Sequence, residues 1–142
     1  MKIPNHLSHK PILKLEEYSK LDGRFAHQTD AEGLSIGLAQ WSNSTEVDLS
    51  AKVWRHTGEK WSRQSEELPL HRVLDLASLL CAAIYYEKNG TLPTNDKKFS
   101  LELTENSHLI NILKKGMLKE NKNGALDESL ERLSEYLKNL GY

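Results

Sequence analysis

The sequence predicts an α+β fold: a small antiparallel β-meander of about three to five strands, covered on one face by helices, with an amphipathic C-terminal helix. Three observations lead there. Residues 34–66 alternate apolar and polar side chains between turn residues, the period of a half-buried strand. Residues 69–89 then carry apolar side chains at three- and four-residue spacing, the period of a helix. Leu126, Leu130, Leu133, Leu137 and Leu140 repeat that spacing near the end of the chain. At 142 residues the chain has the length of one domain, expected over 1–142.

Taken in order, residues 1–23 hold Pro4, Pro11 and the alternating Ile12-Leu13-Lys14-Leu15, which predict an extended arm or edge strand ending at the Asp22-Gly23 turn. Three strands are expected over 34–41, 47–55 and 61–65, joined at Asn43-Ser44-Thr45 and at Thr57-Gly58-Glu59-Lys60. Pro69 suits the first turn of the central helix, and Asn89-Gly90 suits its end. Phe99-Ser-Leu-Glu-Leu alternates again and predicts a further strand. Helices are expected over 107–140: a short one capped by Ser107 and ended by Gly116, then the leucine-striped one after Asn123-Gly124. The stripe is too short for a coiled-coil seam and is read as packing on the sheet.

Strand register turns the meander into a functional argument. With residues 57–60 as the second loop, His56 faces Trp61, Trp54 faces Arg63 and Lys52 faces Ser65, all on one side. The other side receives Val47, Leu49, Ala51 and Val53 together with Leu34, Ile36 and Leu38, while Gly37 leaves room beside Lys52 and Trp41 joins Trp54. Helices over the aliphatic side would leave the tryptophans exposed, and an exposed aromatic cluster marks a binding site or a subunit interface. Four of the five arginines lie between positions 24 and 72. Forked guanidinium donors beside stacking indoles suit a nucleotide-like anionic small molecule. The expected ligand-binding residues are Arg24 and His27 before the first strand, Trp54, Arg55 and His56 on the second, Trp61, Arg63 and Gln64 on the third, and His71 and Arg72 at the helix start.

Other chemistries find less support. Nineteen basic against twenty acidic residues leave a net charge of −1, which argues against a duplex-DNA partner. No Gly-x-Ser-x-Gly elbow, phosphate-binding Gly-x-x-x-x-Gly-Lys loop, Gly-x-Gly-x-x-Gly or His-Glu-x-x-His occurs. No catalytic residue, metal site or cofactor is therefore expected. The single Cys81 forms no internal disulfide and, within an apolar helical run, reads as a buried small hydrophobe. His6 and His9 read as polar punctuation in the arm. No apolar run approaches the roughly 18 residues of a membrane span, so no membrane partner and a cytoplasmic location are expected.

Residues 23–30, Lys52-Val-Trp-Arg-His56 and Trp61-Ser-Arg-Gln-Ser-Glu-Glu-Leu-Pro-Leu-His-Arg72 resemble the signature of a family of small bacterial and phage-encoded proteins without an established enzymatic role. The resemblance covers roughly residues 4–85. In size and in its Arg/Trp-rich segment the chain also resembles phage anti-defence sponge proteins. That likeness implies a homo-oligomer, in a bacterial or phage-infected host cell, that holds a cyclic ADP-ribose-type signal of the Thoeris immune system without degrading it. The reading is thus a non-catalytic binding protein. The alternatives are a phosphoester hydrolase using His56 or His71 with Glu66, and an interaction module using the tryptophan face.

Overall fold

The computed structural model describes residues 1–94 and 99–142. It is an α+β protein whose contacts gather into two compact units, Met1–Leu76 and Ala77–Tyr142. The first holds a four-stranded antiparallel sheet in the order β1 (Lys10–Glu16), β2 (Ala31–Leu38), β3 (Leu49–Arg55) and β4 (Glu67–Pro69). Three helices follow: α1 (Leu70–Asn89), α2 (Ser107–Lys122) and α3 (Ala125–Asn139). Among the described residues no helix is long and apolar enough to cross a membrane.

Residues 10–16 of the expected arm form the edge strand β1, with a register irregularity between Pro11 and Leu13. An edge position is where a strand tolerates the missing N–H of proline. The expected His56–Trp61 pairing is present, and Thr57 N–H donates to the Lys60 carbonyl at 2.9 Å to close the loop. Beyond it the register slips. Ser62 N–H still donates to the Arg55 carbonyl, but Gln64 N–H donates to Ser62 Oγ and Ser65 Oγ donates to the Ser62 carbonyl, so hydroxyls satisfy the backbone locally and residues 63–65 leave the ladder. Pairing resumes with Lys52 opposite Glu67 instead of Ser65, a shift of two that preserves which side each residue faces.

Two expectations in the C-terminal half are corrected. No strand forms over 99–103, because alternation does not by itself supply a strand to pair with. The helix expected to stop at Gly116 continues to Lys122, since Leu109, Leu113 and the buried Met117 extend the apolar spacing through it. Its cap is Asn106, one residue before Ser107, whose side-chain oxygen accepts from the N–H groups of His108 and Leu109. Within the C-terminal unit Lys114 lies over the Tyr86 ring and Asn121 donates to Glu87. Cys81 is exposed, not buried.

The largest correction concerns the sheet. Its tryptophan side is buried: Trp54 is 0% exposed, Ser50 0%, Ser35 6% and Lys52 9%. Val47 and Leu49, on the aliphatic side, are exposed. The cause lies in β2, where alternate positions are small: Ala31, Gly33, Ser35, Gly37, then Ala39. This low strip admits the N-terminal segment. A Cβ on Gly33 would sit 2.5 Å from Ile3 Cδ1, and one on Gly37 would collide with the Lys10 carbonyl. Ile3 and His9 are buried there.

Candidate functional site

His9 joins the strands of this buried side. Its Nδ1 lies 2.8 Å from Glu67 Oε1 and 3.0 Å from Ser50 Oγ, and its Nε2 lies 2.9 Å from Ser35 Oγ. The His9 ring also stands edge-on to Trp54. Glu67 Oε1 accepts two further bonds, from Ser50 Oγ at 2.6 Å and from Gln40 N–H at 3.0 Å. Burial pushes the Glu67 carboxyl up, but the donors Ser50, Gln40 N–H and His9 outweigh it and hold the group below the usual carboxylate range. An ionised carboxylate only accepts, so His9 Nδ1 carries the proton it shares with Glu67. In the neutral ring Nε2 then accepts from Ser35, whose oxygen in turn accepts from Trp54 Nε1 at 2.8 Å. Glu67 Oε2 is buried without a hydrogen-bond partner.

Beside this network lies a cavity of about 410 Å³ within the N-terminal unit. The arm supplies His6 to His9, the sheet supplies Lys52 and Glu67, and the irregular loop supplies Ser62 and Arg63. That volume falls within the range of small-molecule sites. Lys52 Nζ stands 5.0 Å from the centre of the Trp54 ring, and among the described residues no carboxylate lies within 4 Å of it. Burial lowers the Lys52 amine from its ordinary value, opposed by the charges of Glu67 and Glu66. Among the described residues no three His, Cys, Asp or Glu side chains gather to hold a metal.

The model of a family of unknown function, DUF6530, matches residues 1–142. The chain belongs to the DUF6530 family. Neither the curated proteins nor the solved structures give a match.

Of the ten expected ligand-binding residues, Arg63 alone lines the cavity of this DUF6530 chain. Trp54 lies beneath Lys52, fully buried, and presents no face on which a base could stack. Trp61 and His56 stack edge-to-face, with Trp61 also edge-on to Trp54, so these rings mostly pack against each other. Trp41 stands apart, exposed, its indole N–H donating to Asp48. Arg55 points to the opposite side of the sheet, where Asp30 at 2.6 Å and Glu66 at 2.8 Å hold it. Hydrogen bonds from Arg55 also hold Glu66 below the usual carboxylate range, keeping it from acting as a general acid. Arg24 lies over the Phe25 ring, and His27 occupies a left-handed turn at φ 66°. Gln64, His71 and Arg72 are exposed, the last two in the first turn of α1.

Sequence reasoning missed His9 and Glu67. Their signal was the small-residue strip of β2, which implies that something packs against it. The order Ser35–His9–Glu67 has the spacing of a nucleophile, base and orienting carboxylate. Ser35, however, does not line the cavity, is nearly buried and already accepts from Trp54. In this DUF6530 fold the chain of bonds fixes the arm and the cavity wall, and does not present Ser35 Oγ to a substrate.

Proposed function

We propose that the chain is a non-catalytic binding protein that captures a nucleotide-like anionic small molecule in the cavity of its N-terminal unit. The observation that carries this reading is Lys52: a cavity-lining cation 9% exposed, set over the Trp54 ring, with no ion pair among the described residues. Isolated charges are costly to bury, and an arriving anion relieves that cost. Arg63 on the same wall adds a forked donor suited to phosphate. The likeness in size and in a small sheet with trailing helices to sponge proteins supports a finer reading: a homo-oligomer that sequesters a cyclic ADP-ribose-type immune signal and returns it intact.

The test is mass spectrometry of small molecules released by heat after incubation with a nucleotide panel that includes cyclic ADP-ribose isomers. Intact release of one compound, lost in Lys52→Ala and Arg63→Ala with the fold retained, is the expected result. Recovery of a converted product would replace capture with catalysis. Recovery of nothing from the parent protein overturns the reading.

A further inference from the structure

The surroundings of Lys52 suit a second kind of chemistry. An amine that acts only as a fixed cation is usually held by a carboxylate, which keeps its proton in place. The nearest candidate, Glu67, has Oε1 committed to His9, Ser50 and Gln40 N–H, and it forms no ion pair with Lys52. Glu66 on the neighbouring position is occupied by Arg55. Lys52 is therefore shielded from water, free of a fixed counter-ion and open to the cavity, the situation in which lysine is a nucleophile towards carbonyl carbon. The lowering of the Lys52 amine by burial acts in the same direction, against the opposing charges of Glu67 and Glu66. His6 lines the same cavity, and Arg63 offers its fork to an anionic group on the same molecule.

We infer that Lys52 is a site of reversible imine formation, and that the cavity takes anionic aldehydes or ketones. The inference rests on the proposed anion capture and narrows its ligand class. The amine lone pair of Lys52 forms a bond to the carbonyl carbon, and the C–O π pair moves to oxygen, which takes a proton. The resulting carbinolamine loses that oxygen as water with a second proton as nitrogen gives up its own, leaving C=N. Hydrolysis reverses every step, so no oxidant or reductant is consumed.

The experiment uses pyridoxal 5′-phosphate, which carries both an aldehyde and a phosphate, and pyridoxal, which lacks the phosphate. The full chain is incubated with each at neutral pH, reduced with borohydride and mapped by peptide mass spectrometry. Labelling of Lys52 ahead of every other lysine is expected, with the phosphate form reacting more than pyridoxal and Arg63→Ala removing that preference. Lys52→Arg keeps the charge but has no amine to form an imine, and should lose the adduct. Label spread over the surface lysines, with Lys52 no more reactive than the rest, overturns the inference. Nucleotide capture without an adduct leaves anion binding standing and removes the imine. Equal labelling of Lys52 by both aldehydes keeps the imine and removes the anion preference.

Discussion

Lys52 and Arg55 lie three residues apart on β3 but on opposite faces of the sheet, and their surroundings differ in every respect. Arg55 is partly exposed and grips two carboxylates, Asp30 and Glu66, which hold its guanidinium charged. Lys52 is almost buried and has no ion-pair partner among the described residues. The exposed face thus spends its cation on tying β3 to the preceding loop and to residue 66. The buried face keeps its cation uncommitted beside a cavity. The difference teaches that, in this sheet, the cation beside the cavity is the one without an ion pair, and that the abundance of arginine is a poor guide to where such a cation lies.

The sharpest way to break the comparison is to remove what closes the buried face. His9→Ala deletes a donor to a buried carboxylate, removes the acceptor of the Ser35 hydroxyl and opens a void beside Trp54; the expected loss is about 3–5 kcal/mol by urea unfolding. A loss near zero would mean that the arm does not depend on this network. Gly37→Ala should cost about 1–3 kcal/mol, because its Cβ meets the Lys10 backbone. Gly116→Ala, which meets nothing within 4 Å in the middle of α2, should instead stabilise by up to about 1 kcal/mol. Equal effects at the two glycines would show that the arm yields freely.

Acid offers a third probe of the same face. The folded-state pKa of Glu67 is depressed, so unfolding takes up a proton and the stabilisation is complete above the unfolded value of about 4.3. It is lost as pH falls from there through the folded value. Glu67→Gln should flatten the fall of the urea midpoint in that acid range, and an unchanged pH dependence would contradict the assignment of the charge. The smallest effects separate the two cations. Arg55→Met should cost no more than about 1 kcal/mol, since its pairs are solvent-screened, and should leave ligand release unchanged. Lys52→Met should hold or raise stability by up to about 1 kcal/mol and abolish capture.

The sequence made the α+β class, the strand partners of residues 34–38 and 49–55 and the His56–Trp61 closure legible, because period and turn chemistry are local. The sidedness of burial was not legible from hydrophobicity. Fully apolar side chains sit on the more open face, while Ser35, Ser50 and Lys52 are covered. What decides the matter is shape, written as the alternating small residues of β2, together with a hydrogen-bond network whose members are far apart in the chain. Of the cavity lining, Arg63 had been singled out by its residue type, whereas His9 sat in a segment with no periodicity to flag it. The slip over residues 63–65 was likewise hidden, because serine hydroxyls compete with a ladder without leaving a spacing signature.

The His9 bonds span 26 residues to Ser35, 41 to Ser50 and 58 to Glu67. One imidazole thereby checks the alignment of three strands at once. A one-residue slip in β2 would bring Leu34 or Ile36 to the place of Ser35, and the ring would face a methyl group instead of an acceptor or donor. All three bonds form together only where β2, β3 and β4 are paired in this register. The seat of the arm is therefore a property of the registered sheet, and no single strand supplies it.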